Sequence, residues 1–187
     1  MSTASAEPIP LLTADQYARR PDLGHREELV RGCIVPRPQP TRRHGQICAQ
    51  GVYLFRRFLE DQDQGHIVSN DSGVITERDP DTVRGADIAY YSYRKVPRGP
   101  MPKDYGAEPP ELVVEVRSPS DRWAKVLQKI AEYLKAGVPA VVVLDDDTRT
   151  ALIAMADEPP RRLGPDEDLT IPGILPGFAV PVRRFFE

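Results

Sequence analysis

The sequence predicts an α/β fold in which helices flank a mixed sheet, and three observations carry that reading. The run Leu112–Arg117 (LVVEVR) is short, apolar and β-branched, as strands are. A helical pattern follows it and stops at Gly137, a residue suited to the position just past a helix end. Residues 140–144 (AVVVL) then form a nearly all-apolar run, the mark of a central strand buried on both faces. Strand, helix and strand in that order predict a right-handed parallel crossover.

The remaining elements follow in chain order. Thr13-Ala14-Asp15-Gln16 is a capping box that opens a short helix. Residues 27–35 form a small hairpin turning at Arg31-Gly32. Residues 41–60 form a helix, because Cys48, Val52, Phe55 and Leu59 recur on one face. Short strands are expected at 67–69 and 73–76, then turn chemistry at Asp79-Pro80-Asp81, then a strand at 86–91 (ADIAYY). The Pro- and Gly-rich stretch 92–110 is long for a loop in a compact domain, so it is either a flap over a site or a misassigned element. Ser118-Pro119-Ser120-Asp121 should stop the strand and cap the next helix. That helix runs to about 136. From Arg149 the tail shows one strand, a Pro-rich turn and a closing segment around Phe185-Phe186.

Length and composition bound the answer. A chain of 187 residues, 40% apolar and 28% charged, reads as one globular domain over 1–187. Its core spans about 41–146, with the N-terminal helix and hairpin and the C-terminal segment appended. A net charge of -3 excludes a basic nucleic-acid coat protein. It leaves room for a local basic patch, for which the pairs Arg19-Arg20, Arg42-Arg43 and Arg56-Arg57 are candidates; solvated surface is the alternative. Cys33 and Cys48 sit in apolar patterns without CxxC spacing, which suggests buried free thiols in a reducing compartment and no structural zinc. No signal peptide and no membrane-spanning run are visible, so the expectation is a cytoplasmic protein with no membrane partner.

Three side chains stand out for chemistry. In the strand 112–117, Val113, Glu115 and Arg117 share one face, and Leu112, Val114 and Val116 the other. A carboxylate inside so apolar a run is costly unless it is paired or binds a metal. A Glu115–Arg117 pair or an exposed sheet face would also account for it. Asp87 starts a strand that aspartate disfavours; it could merely end a turn. Placed beside Glu115 on a neighbouring strand, it would complete an oxygen-rich site for a hard divalent cation. On the helix, Trp123, Val126, Leu127, Ile130, Tyr133 and Leu134 fill one apolar sector, and Lys129 lies at its margin. From there its stem could carry the ammonium to a nearby site, or it could be an ordinary solvent lysine paired with a neighbour such as Glu132.

The string ELVVEVRSPSD, followed by KIAEYLKAGV and an apolar strand ending in Asp145, resembles the Uma-type restriction endonucleases of the PD-(D/E)XK nuclease superfamily. EELVRGCIV, His44, GADIAYY and the tail DLTIPGILPGFAVPVRRFF extend the resemblance over about 11–186. It implies a core of helix, three strands, helix and strand, which is the order read above. It implies Mg²⁺ (or Mn²⁺) held by Asp87 and Glu115, with a lysine assisting hydrolysis of nucleic acid, DNA in the first place. The usual lysine position, two residues after the glutamate, is Arg117 here. Arginine can hold a phosphate but is a poor base, and the resemblance moves the lysine role to Lys129. Beside two carboxylates that lysine should stay charged, which favours an electrostatic role. Glu28 and His44 match further family positions and, with Arg117, are expected beside the site or facing substrate. A homodimer is one expectation, since cutting two strands often takes two subunits. The alternatives are a nuclease-fold module that binds nucleic acid or a protein without cutting, and use of the fold on another substrate.

Overall fold

The computed structural model describes residues 10–21, 23–118 and 121–187. Helix α1 (Ala14–Ala18) opens on the expected capping box: the Thr13 hydroxyl accepts from the Gln16 amide, and the Gln16 side chain accepts from the Thr13 amide. Strands β1 (Glu27–Val30) and β2 (Cys33–Pro36) form a hairpin around Arg31 and Gly32, both at positive φ, the turn whose twist suits a two-residue hairpin. Helix α2 (Arg42–Glu60) is capped by the Thr41 hydroxyl, which accepts from the His44 amide.

Strands β3 (Gly65–Glu77) and β4 (Thr82–Ser92) are both longer than the sequence suggests. The two short strands expected at 67–69 and 73–76 are one strand, interrupted by a bulge at Asn70 and Asp71. Both bulge residues adopt positive φ, which short polar side chains tolerate. A long β4 draws Asp87 away from the strand end and into its interior.

Strand β5 (Leu112–Arg117), helix α3 (Trp123–Lys135) and strand β6 (Ala140–Asp145) follow in the expected order, with β5 and β6 parallel from Leu112↔Ala140 to Arg117↔Asp145. Gly137 lies at positive φ just past the Ala136 cap. The start of α3 differs from expectation. Its N-cap is Arg122, with no side-chain cap bond, and the Asp121 carboxylate turns back to the Ser118 amide. Pro119 and Ser120 of the expected cap lie outside the described residues. The apolar sector of α3 is also narrower than expected: Ile130 and Tyr133 are buried, whereas Leu127 is 51% exposed.

The tail builds four strands where the sequence suggests one. They are β7 (Thr150–Met155), β8 (Glu158–Leu163), β9 (Asp168–Ile171) and β10 (Leu175–Pro181), closed by a 3₁₀ turn over Val182–Phe186. Pro159 and Pro160 sit on β8 at the sheet edge, where a missing amide donor costs little.

The main sheet has eight strands in the order β2-β1-β4-β5-β6-β7-β8, with β3 also on β4. All its pairings except β5–β6 are antiparallel. β3 occupies one edge of β4 from Ser92 to Thr82. A strand has two edges, so β1 (Leu29 opposite Val83) and β5 (Val114 opposite Ile88) must share the other, one behind the other. Between them the edge of β4 is left open at 84–87. Leu112, Val114 and Val116 face the core under α2, where Phe55 stacks on Phe178 at 4.8 Å, while Val113 faces Ile130 and Tyr133 of α3.

Residues 93–111 form a loop that packs on the α3 side, with Val96 and Met101 against the core that holds Val74 and Tyr91. The Lys95 ammonium donates to the Pro109 carbonyl (2.5 Å), and the Ser92 hydroxyl to Glu111 (2.5 Å). No helix among the described residues is long and apolar enough to cross a membrane.

Candidate active site

The open stretch of β4 is where the charged residues converge. Gly85 lacks a strand partner on this edge, and side chains take its backbone groups instead. Its amide donates to Glu28 Oε1 (3.3 Å), and its carbonyl accepts from Lys129 Nζ (3.3 Å) and the Tyr133 hydroxyl (3.4 Å). The β4–β5 pairing stops at Ile88↔Val114, so the next positions along are Asp87 and Glu115. There the Val116 amide leaves the ladder and donates to Asp87 Oδ2 (2.7 Å). Asp87 and Glu115 are thus neighbours because the ladder opens at that point.

Each carboxylate has a cationic partner. His44, one turn into α2, places Nε2 3.2 Å from Asp87 Oδ2. Lys129 places Nζ 2.8 Å from Glu115 Oε2, and the Tyr133 hydroxyl, one turn further along α3, donates to Glu115 Oε1 (2.8 Å). Behind them Glu28 lies 3.5 Å from Lys129 and accepts from Arg84 (2.9 Å), whose other donors reach Glu132 at 2.6 and 3.0 Å. Arg84 is 7% exposed and Glu28 5%, so their pairing offsets the cost of taking both charges out of water.

The electrostatics follow from this arrangement. Burial pushes the Glu115 carboxyl up to about 7, with Lys129 opposing and the Asp87 charge adding to the rise. Burial also acts on Asp87, but His44 and the Val116 amide hold it below the ordinary carboxylate range. Burial disfavours the charged His44 ring, yet Asp87 and Cys48 push it up to about 10. Burial disfavours the Lys129 ammonium as well, and Glu115 and Glu28 outweigh it, so the lysine stays charged.

The structure brings Asp87, Glu115, Lys129, Glu28 and His44 onto one cavity of about 130 Å³. It does not bring Arg117 there. Arg117 donates to Asp145 (2.7 Å) and Asp147 (3.0 Å), and its guanidinium lies over the Trp123 ring. The Glu115–Arg117 pair considered from sequence therefore does not form. No residue of the 93–111 loop lines the cavity, although Tyr105 lines the larger groove beside it. A larger groove of about 640 Å³ shares Arg26, Glu28, Arg37 and Asp71 with the cavity. Of the six paired arginines noted in the sequence only Arg20 lines that groove.

Tyr133 and Arg84 were not anticipated as site residues. Tyr133 read as core because it is aromatic on the apolar face; its spacing of four from Lys129 was the available signal. For Arg84 the sequence offered none. Cys33 is exposed and Cys48 half-buried, contrary to the buried thiols expected, and Cys48 Sγ lies 3.5 Å from His44 Nδ1.

Two donor sets could receive a cation. Asp87 and Glu115 are hard oxygen donors whose mutual repulsion a divalent ion would relieve, which fits Mg²⁺ or Mn²⁺. His44, Cys48 and Asp87 also offer ligand atoms within 4.8 Å of one another. In that set the ring is protonated and burial raises the thiol, so both must lose protons before they ligate. It reads better as an ion pair buttressed by a thiol.

An α/β sheet with paired buried carboxylates and a lysine at an opened strand edge has the organisation of a nuclease-like protein. The family model described as "Uma2: Putative restriction endonuclease" matches residues 14–183, and the chain belongs to that family. Among solved structures it is similar to one described as "a putative nuclease belonging to DUF820 from Anabaena variabilis ATCC 29413", with a TM-score of 0.80 and 20% identity over 94% of this chain and 97% of that one. That likeness bears on the fold. No curated protein matches the chain.

Proposed function

We propose that the chain hydrolyses phosphodiester bonds of nucleic acid, DNA in the first place, with a divalent cation held by Asp87 and Glu115. The observation that carries this reading is the convergence of those two carboxylates and Lys129 at the opened edge of β4. A bound Mg²⁺ or Mn²⁺ supplies Lewis acidity toward the phosphoryl oxygen and toward water. Lys129, charged at neutral pH, offsets negative charge building on the phosphate. It does not serve as the base, because Glu115 and Glu28 hold its proton. Arg26 and Arg37 line both the cavity and the groove, paired with Asp71 and Glu28, and in this reading they would turn to neighbouring phosphates. Cutting both strands would take two such sites, so a homodimer, readable by light scattering, belongs to the proposal.

The test is calorimetric titration of Mg²⁺ and Mn²⁺ into the native chain, Asp87→Ala and Glu115→Ala, beside a plasmid-cleavage assay. We expect binding and cleavage in the native chain and neither in the variants, with their folds retained. Metal uptake untouched by both changes would refute the assignment. A second reading is favoured by one observation: each carboxylate already has a protein cation, His44 or Lys129. A self-neutralised site suits a module that binds nucleic acid or a partner without cutting, and oligonucleotide binding without metal uptake would select it.

A further inference from the structure

Lys129 stands between two carboxylates that are held in different ways. Glu28 is fixed through Oε2 by Arg84, with Arg37 3.6 Å from the same oxygen, and through Oε1 by the Gly85 amide. Arg84 is in turn anchored on Glu132. Glu115 is fixed through Oε1 by the buried Tyr133 hydroxyl, which leaves Oε2 to the lysine. The ammonium sits at 2.8 Å from Glu115 and 3.5 Å from Glu28, on a flexible four-carbon stem. A cation that takes up Glu115 must compete with this ammonium. A largely buried ammonium that gives up its shorter carboxylate contact is costly unless another carboxylate stands within reach, as Glu28 does at 3.5 Å.

We infer that Lys129 has two stations, Glu115 when the site holds no cation and Glu28 when it does, and that Glu28 is the positioning residue that makes the exchange possible. This rests on the metal-dependent reading above. The two carboxylates flank the ammonium, and the Gly85 carbonyl, 3.3 Å away, is a third acceptor beside them. On β1, outside the predicted core, Glu28 thereby couples the N-terminal hairpin to the site. Moved to Glu28, the ammonium leaves Glu115 free for the cation and remains beside the cavity, where it can still meet a phosphate.

The experiment is a double-mutant cycle on Mn²⁺ affinity, measured by calorimetry at pH 8. Glu28→Gln should weaken binding on the order of tenfold in the native background, a typical size for coupling between sites. In the Lys129→Met background the same change should matter by no more than about twofold, because Glu28 acts through the lysine. An equal loss in both backgrounds would mean that Glu28 acts only by its own field, and the inference falls. Should Glu28→Gln fail to fold, the ¹⁵N-lysine-labelled native chain gives the second measurement. Mg²⁺ should shift the Lys129 ammonium resonance, and a resonance unmoved at saturating Mg²⁺ overturns the two stations. If the native chain takes up no metal at all, the metal-dependent reading itself is what has failed.

Discussion

Asp81, Asp87 and Glu115 are carboxylates in buried or largely buried places, and burial alone would push each toward its neutral form. The chain answers them differently. Glu115 gets an ammonium and a phenol, Asp87 an imidazolium and a backbone amide, and Asp81 the Ala14 amide (2.7 Å) together with Arg78 (3.0 Å). Those partners hold Asp81 below the ordinary carboxylate range despite burial. A carboxyl depressed in the folded state stabilises the fold above its unfolded pKa, and that contribution is lost as pH falls through the folded value. Asp81→Asn keeps the shape and the bond from Ala14 but removes the charge. It should cost about 1 kcal/mol at neutral pH, and the gap to the native chain should close as pH drops below the ordinary carboxylate range. Urea melts of both proteins across that interval check it; a gap independent of pH would mean that the charge is not what matters. At this scale Glu115 stands out in the sequence because charge inside an apolar strand is anomalous, and Asp87, read at the start of its strand, stands out only beside Glu115 and through the family resemblance. The sequence hides Tyr133, which satisfies every rule for a core residue.

The elements differ in how local their signals are. β5, α3 and β6 were legible because periodicity, β-branching and the Gly137 stop all lie within a few residues of the boundaries they set. Local sequence divides β3 in two because Asn70-Asp71 carries turn chemistry, while its continuity is imposed by pairing with β4 along its length. β8 was missed because its prolines are tolerated only at a sheet edge, and edges are decided by the whole sheet. The 93–111 stretch leaves a choice between flap and misread element that local sequence does not settle; in the structure it is a loop packed against the core on the α3 side of the main sheet. Gly73 is one of its fixings. A Cβ there would stand 2.4 Å from ring atoms of Tyr105, which must otherwise stay packed on β3. Gly73→Ala should displace Tyr105 and cost about 1–3 kcal/mol. Hydrogen exchange should rise in 93–111, while metal binding stays native because the loop does not line the cavity. Loss of metal binding in this variant would restore the flap reading.

At the scale of the whole molecule, the candidate site is made where two strands divide one edge of β4. Glu28 comes from β1, His44 from α2, Asp87 from β4, Glu115 from β5 and Lys129 from α3. They span about a hundred residues of chain and meet only because β1 and β5 share an edge of β4 without meeting each other. The unfolded chain therefore has no such site, and a cation bound there must stabilise the folded state by mass action. Mg²⁺ at a hundredfold excess over its Kd should add about 2.7 kcal/mol. In a chain of 187 residues that corresponds to a rise in melting temperature of roughly 5–10 °C. Asp87→Ala and Glu115→Ala should melt at one temperature with and without Mg²⁺. Surface carboxylates alone would give a smaller rise that both variants retain and that added salt abolishes. The thermal shift therefore separates a cation gathered by the folded edge of β4 from one attracted by net charge, and an equal rise in native and variant proteins would move the metal away from that edge.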